Sequence, residues 1–497
     1  MKLGVLAERA GIVLEQGGDK NVTGFAIDHR KVAPGTVFGA FRGTAFDAET
    51  VIPDAISAGA VAVVTRTQAK VDGAIHIAAD EPRRIFAQLA AKFFTPVPEH
   101  IVAVTGTNGK TSTVEMVRQI WRMCGERAAS IGTLGVTTPD ESVSTGLTTP
   151  DIVTFLSNMS GLAREGVTHV AYEASSHGLS QFRNEGLGVE AAGFTNFSRD
   201  HLDYHRDMED YFAAKMRLFD EVVDPGAAAI IWHGGEDSEW ARRATEHAQD
   251  RALRVLTVGE QGDFIRLLAR TPTQLGQSIE IEFDGSRQMV NLPLIGAYQA
   301  SNALVAAGIA IATGSVAGQV FDALGRLQPV RGRLERAVIT PQGAPAYVDY
   351  AHTPDALEAA IEALSPHVTG KMICVFGAGG DRDQGKRKSM GEVASSKADL
   401  VIVTDDNPRG EDPVAIRSEI LAGVGENARE IGDRRGAILA AIEAAGRDDI
   451  ILIAGKGHEK GQIIGAGDNM RVLPFDDVEV ARECAAQVAR QTAGGAV

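Results

Sequence analysis

An α/β fold of three domains, each built on a mostly parallel sheet, is predicted by three observations. Short apolar runs alternate with helical stretches along the whole chain. A glycine-rich loop, Val104-Thr105-Gly106-Thr107-Asn108-Gly109-Lys110-Thr111-Ser112, lies between one such run and one such helix. The chain has 497 residues, about three times a typical domain length of ~150.

In residues 1–98 the strand candidates are Gly24–Asp28, Val37–Phe41 and Ala60–Thr65, and Pro82–Phe94 has a helical pattern. Between two of these strands, His29, Arg30 and Lys31 concentrate positive charge in an acidic protein, as a solvated turn or as a binding turn. Thr95-Pro96-Val97-Pro98 reads as a linker, because each proline disfavours helix at the residue before it.

Residues 99–330 begin with a buried strand, Ile101–Val104, then the glycine-rich loop and a helix over Val114–Cys124. Further strands are expected at Thr168–Tyr172, Ala191–Thr195 and Ala227–Trp232. Ligands of a parallel sheet gather beyond the carboxyl ends of its strands. Glu173–His177 and Asn196–Asp203 fall at two such ends, so both should face the loop.

Residues 331–497 repeat the alternation, with strands at Ala346–Asp349, Met372–Phe376, Leu400–Thr404 and Ile450–Ala454. The pattern is doubly wound and Rossmann-like. Gly377-Ala378-Gly379-Gly380 starts like a dinucleotide fingerprint, but its third glycine would fall at Arg382, which argues against a nicotinamide enzyme.

The loop has the chemistry of a phosphate cradle. Backbone N–H groups of Gly106, Thr107, Asn108 and Gly109 and the positive helix end face an anion; Lys110 neutralises β/γ-phosphate oxygens; the Thr111 hydroxyl can ligate Mg²⁺. A strict P-loop pattern asks for glycine where Val104 stands. Glu173 adds a carboxylate suited to Mg²⁺.

A net charge of −16 argues against nucleic acid or an anionic membrane as partner. No apolar run reaches the ~18 residues of a membrane span, and Glu8 and Arg9 break any leader-like start, so a cytoplasmic protein without membrane insertion is expected. Cys124, Cys374 and Cys484 are too few for a disulfide framework and read as core thiols.

The loop TGTNGKTS (105–112), EASSH (173–177), NFSRDHLDYH (196–205), AKMRLF (214–219), VDYAHTPDAL (348–357) and DNPR (406–409) resemble the Mur ligase family, in order and across all three units. Within it the match is to the diaminopimelate-adding members. The resemblance implies ATP-driven amide formation in peptidoglycan precursor synthesis. The γ-phosphoryl group of ATP moves to the D-glutamate carboxylate of UDP-N-acetylmuramoyl-L-alanyl-D-glutamate, and the amine of meso-diaminopimelate displaces phosphate. The small-molecule substrates are the partners, and a monomer is expected.

The resemblance also implies roles. The N-terminal domain binds the UDP-substrate, the central domain ATP, and the C-terminal domain the amino acid. Lys110, Glu173, His201 and Lys215 are the catalytic set, and Thr111, Glu173, His201 and Lys215 the Mg²⁺ set, with Lys215 acting as a CO₂-derived carbamate. Read from pattern alone, Lys215 beside Tyr211, Phe212 and Phe219 is a snorkelling surface lysine. Gly106 to Ser112, Asn302, Arg333 and Asp349 would bind ATP across the last two domains, which would have to close. A further family asparagine is Gln299 in this chain.

For the UDP-substrate the resemblance points to His29, where relatives have serine, and to Thr44, Thr148, Thr149, Ser175, Gln181 and Arg183. Thr148 and Thr149 would otherwise pass as a helix N-cap, and Asn302 as another. For diaminopimelate it points to Arg382, Asp406, Asn407, Pro408, Arg409, Gly455 and Glu459; Lys460-Gly461 is a local departure. Arg409 can fork onto the distal carboxylate that lysine lacks. The rivals are a lysine-adding relative, a folylpolyglutamate synthetase, and a noncatalytic nucleotide-binding protein of the same fold. Arg409 opposes the first, the UDP-type amino-terminal domain the second, and the presence of Lys110, Glu173 and Lys215 the third.

Overall fold

A computed structural model describes residues 1–43, 46–138, 142–143, 148–202, 204–235, 238–273 and 276–494. The chain divides into two compact units: Met1–Leu267 with Glu282–Ser286 and Ser301–Ala323, and Leu268–Ile281 with Arg287–Ala300 and Leu324–Val497.

The first unit holds two sheets. Strands β1 (Gly24–Ala26), β2 (Thr36–Gly39), β3 (Ala60–Thr65) and β4 (Ile75–Ala78) pair in parallel in that order. Their neighbour in sequence is the helix Pro82–Phe93, with proline in its first turn, where a missing N–H costs nothing. The central strands are β5 (His100–Thr105), β6 (Ala128–Gly132), β7 (Gly135–Thr137), β8 (Ser142–Val143), β9 (His169–Glu173), β10 (Ala191–Phe194), β11 (Ala228–Trp232) and β12 (Arg254–Gly259).

These run in the order β12-β11-β10-β5-β9-β6-β7-β8, parallel from β12 to β6 and antiparallel beyond it. Strands β5 and β9 are nearly continuous apolar runs, as a sheet covered on both faces requires. One apolar core, from Leu3 and Phe86 to Tyr172 and Phe219, joins the faces of the two sheets. Strands β5, β9 and β10 are adjacent, so the loops after Thr105, Glu173 and Phe194 emerge side by side at their carboxyl ends.

Strands β13 (Ile265–Thr273), β14 (Gly276–Phe283) and β15 (Ser286–Leu292) follow. The second unit's sheet has β16 (Glu335–Ile339), β17 (Pro345–Asp349), β18 (Met372–Phe376), β19 (Leu400–Val403), β20 (Ala428–Glu430) and β21 (Ile450–Ala454). Its order is β16-β17-β21-β18-β19-β20, parallel except at β16, with an apolar core on each face: the doubly wound pattern. A hairpin, β22 (Gly461–Ile464) with β23 (Arg471–Pro474), stands apart from it. Cys374 and Cys484 are buried free thiols and Cys124 is half-buried, as expected of core cysteines. Among the described residues no helix is long and apolar enough to cross a membrane.

Candidate active site

The glycine-rich loop leaves β5 and enters the helix Lys110–Met123 through Gly109, whose φ of +84° is a left-handed N-cap with no side-chain cap. No acidic residue of the helix itself occupies its first turn, so none opposes an anion there. The loop is clamped from the β10 side. Asn196 Oδ1 accepts from Asn108 N (2.8 Å), Asn196 Nδ2 donates to Asn108 O (3.2 Å), and Thr195 Oγ1 donates to the same oxygen (2.6 Å).

Asn302 lies within the helix Ala297–Ala312 and caps nothing. The residue is 2 % exposed, and among the described residues its Nδ2 has no hydrogen-bond partner. Its Oδ1 is 2.2 Å from where a Cβ on Gly109 would sit. An orphaned amide donor against the phosphate loop fits the acceptors of a base or phosphate. Gly109→Ala should therefore weaken ATP binding about tenfold or more, through this clash and the left-handed φ. Nucleotide titration checks it, and an unchanged Kd would refute this account of the loop.

Lys110 Nζ donates to Gly106 O (2.9 Å) and Thr107 O (2.7 Å), while Lys215 Nζ donates to the same Gly106 oxygen (2.7 Å). Lys215 is 1 % exposed and no surface lysine: it sits 4.4 Å over the Tyr211 ring on the helix Met208–Arg217. Burial first, and the charge of Lys110 second, push its pKa well below the usual lysine value; Asp200 opposes them.

Glu173, 2 % exposed at the end of β9, accepts from Thr133 N at Oε1 (2.7 Å) and from Thr111 Oγ1 at Oε2 (3.0 Å). Thr111 and Glu173 thus meet, as a shared Mg²⁺ would require. His201 is left-handed (φ +53°), beside Asp200 (3.5 Å) and His177. Among the described residues no three His, Cys, Asp or Glu side chains form a ready-made metal cage.

Beside Glu173 lies a second polar cluster. Thr149 Oγ1 donates to Glu173 O (3.0 Å) and meets Ser175 Oγ (2.9 Å); Thr133 Oγ1 donates to Thr148 Oγ1 (3.1 Å). The cap of the next helix is Asp151, not these threonines. Arg183 donates to Thr149 O (2.9 Å) and Gln181 Oε1 (2.7 Å), and Gln181 Nε2 donates to Tyr204 OH (3.2 Å). Arg183 has no carboxylate partner among the described residues.

Arg83 is a cation of the same kind. It is half-buried over the Phe41 ring (4.8 Å), and burial and the nearby Arg183 charge lower its pKa. Adjacent guanidinium groups without counterions fit an anionic ligand. His29 is not joined to this cluster: its ion-pair distance is to Asp28 (3.8 Å). Arg30 is taken up by a two-pronged bond to Asp28, whose carboxyl it holds down at about 2. Thr44 lies outside the described residues.

The second unit carries two groups. Arg333 lies 4.7 Å over the Tyr350 ring. Asp349, at the end of β17, accepts from Leu334 N (2.7 Å) and Ala351 N (2.8 Å), while burial raises its pKa. Gln299 Nε2 reaches Arg333 O (3.4 Å).

The other group follows β19 and β21. Lys456 is fully buried, and its Nζ reaches Asn407 Oδ1 (3.0 Å), Glu459 Oε2 (3.3 Å) and Asp406 Oδ1 (3.5 Å). Asn407 Nδ2 donates to Glu459 Oε2 (2.7 Å). Gly455, at φ +116°, gives way to Asp406 Oδ2, which lies 2.3 Å from where its Cβ would be. Pro408 is buried, and Asn407 (φ +45°) and Arg409 (φ +49°) on either side of it are left-handed. Arg409 Nη1 donates to Gly380 O (2.9 Å), with no carboxylate partner among the described residues. Arg382 is exposed, likewise without one.

Residues 104–310 match the Mur ligase middle domain, and residues 332–457 the Mur ligase glutamate ligase domain. A UDP-N-acetylmuramoyl-L-alanyl-D-glutamate–2,6-diaminopimelate ligase of Zymomonas mobilis is 56 % identical over 482 residues, covering 97 % of this chain and 98 % of that one. The chain belongs to the Mur ligase family.

A ligase of the same name from Bradyrhizobium diazoefficiens is 50 % identical to this Mur ligase, over 94 % of this chain and 96 % of that one. A solved structure titled with the same ligase name superposes with a TM-score of 0.73 at 32 % identity, covering 98 % and 99 % of the two chains. Three residues of this Mur ligase went unassigned in the sequence: Asn196, Arg83 and Lys456. Asn196 opens the motif NFSRDHLDYH, but its loop clamp is visible only in space. Arg83 and Lys456 carry no local signal, since each reads as an ordinary surface cation.

Proposed function

We propose that the chain is an ATP-dependent ligase that joins meso-2,6-diaminopimelate to UDP-N-acetylmuramoyl-L-alanyl-D-glutamate. The observation that carries this reading is the pair of lysine amines, Lys110 and Lys215, converging on the single carbonyl of Gly106. Two cations so close, one of them buried, favour one charged and one neutral amine. Lys110 stays the phosphate-binding cation. Lys215 keeps the neutral amine that can condense with CO₂, forming an N–C bond and releasing a proton.

A carboxylate is a poor electrophile because its leaving group would be oxide. Transfer of the γ-phosphoryl group gives an acyl phosphate and ADP; attack by the amine then forms the amide, expelling phosphate and a proton. The chain's task is positioning and charge neutralisation. Lys110 and the helix N-terminus hold the phosphates, and Asn302 offers its free donor to the base. Arg333 and Asp349 supply a cation and a carboxylate for phosphate and ribose. Thr111 and Glu173 would hold Mg²⁺, with His201 and carbamoylated Lys215 as further ligands. When bound, Mg²⁺ neutralises phosphate oxygens.

Thr148, Thr149, Ser175, Gln181, Arg183 and Arg83 form the polar and cationic face for the UDP-linked substrate, with His29 and Thr44 as further candidates. Arg409 and Arg382 serve the carboxylates of diaminopimelate, and Glu459 its ammonium group. Segments 1–98, 99–330 and 331–497 accordingly serve the UDP-substrate, ATP and the amino acid. A cytoplasmic monomer is the form proposed.

Mass spectrometry of the product tests the reading, with ATP, Mg²⁺ and the UDP-dipeptide supplied together with equal meso-diaminopimelate and L-lysine. The expected product carries only diaminopimelate, with ADP and phosphate released. A lysine product would overturn the role given to Arg409. ATP bound but not consumed would overturn the ligase.

A further inference from the structure

Between Gln181 and Arg183 stands Phe182, with φ +57°. A bulky aromatic residue reaches that region only where its surroundings over-determine it, and such residues concentrate at functional sites. Glycine would adopt the same backbone freely, so a turn needed only for chain reversal is better served without the ring. Nor is the ring core packing: Phe182 is half-buried and outside the apolar cluster of its unit.

Two guanidinium groups hold it. Arg217 Cζ lies 4.0 Å from the ring centroid and Arg84 Cζ 5.1 Å, within cation–π range. Both cations are fixed in turn. Arg217 donates to Leu179 O (2.8 Å) and pairs with Glu185 (3.2 Å) and Glu221 (2.8 Å). Arg84 pairs with Glu81 (2.8 Å) and also with Glu221. Arg217 is the last residue of the helix Met208–Arg217, which carries Lys215 one half-turn earlier.

We propose that Phe182 is a positioning residue. Its ring, gripped by Arg84 and Arg217, sets the left-handed turn that presents Gln181 and Arg183 together to the UDP-linked substrate. Arg217 registers that turn against the helix of Lys215. The inference rests on the substrate reading of Gln181 and Arg183.

Steady-state kinetics of Phe182→Ala, Phe182→Gly, Phe182→Tyr and Arg183→Ala, varying each substrate in turn, tests it. Phe182→Ala and Phe182→Gly should raise the KM for the UDP-dipeptide about tenfold, with the KM values for ATP and diaminopimelate within about twofold of wild type. Phe182→Tyr, which keeps a ring, should restore it. In thermal unfolding Phe182→Gly should melt no lower than Phe182→Ala, because glycine accepts the φ without strain.

A wild-type KM in the glycine variant, or a parallel rise for all three substrates, overturns the clamp. If Arg183→Ala raises the KM while the Phe182 variants do not, only the clamp falls. If Arg183→Ala also leaves it unchanged, the substrate reading of the turn falls with it.

Discussion

Lys215→Ala is expected to cut ligation by at least ~10²–10³-fold, the scale of removing one preorganised electrostatic group from an active site. The amine is held between the Tyr211 ring and the Gly106 carbonyl, and alanine leaves neither contact. Assay with saturating substrates measures the loss, and undiminished turnover would remove Lys215 from the mechanism. A carbamate on its amine also predicts a carbonyl-region NMR signal after incubation with ¹³C-bicarbonate, absent from the variant.

The same burial makes the unmodified lysine a liability for folding. Its folded pKa is depressed below the unfolded value of about 10.4. Between the two values the unfolded chain binds the extra proton, so native stability rises with pH through that window. The full penalty applies below the folded pKa. In CO₂-free buffer, Lys215→Met should therefore melt above wild type at neutral pH, with the gap closing toward pH 10. An equal Tm at neutral pH would contradict a desolvated amine.

Arg409→Ala and Arg409→Lys are both expected to raise the KM for diaminopimelate by roughly 30-fold or more, the usual cost of breaking a desolvated charge pair. Lysine fails as a replacement because it offers a point charge where the guanidinium offers a planar fork. The KM values for ATP and the UDP-dipeptide should hold. Unchanged diaminopimelate kinetics would show that Arg409 does not read this substrate. L-lysine as substrate presents the mirror case, an intact Arg409 without a distal carboxylate, and should be rejected strongly.

Strands β3, β18 and β21 are legible to the residue, because strands buried on both faces read as unbroken apolar runs. The exposed hairpin of β22 and β23 is not, since Arg471, Val472 and Leu473 face solvent and obey no burial pattern. The phosphate loop and the strand-end motifs are equally legible, being contiguous in sequence. What periodicity misses is tertiary. Lys215 and Lys456 sit at positions that look solvated on their own segments, and are buried by loops remote in sequence. Arg30 shows the converse: a cation in a cluster that looks like a binding turn is paired locally with Asp28.

Arg434, buried beside β21, is paired through Nε and Nη2 with Asp477 (2.8 and 2.7 Å) at the start of the helix Asp477–Gly494. It also donates to Ala454 O (2.9 Å), the carbonyl just before Gly455. The carboxyl end of β21 is thus riveted to the helix Asp477–Gly494 through one guanidinium. A nascent chain still lacking Asp477 would leave a buried guanidinium without its counterion. Removing the helix Asp477–Gly494 should therefore unfasten the turn at Gly455 as well as the helix itself.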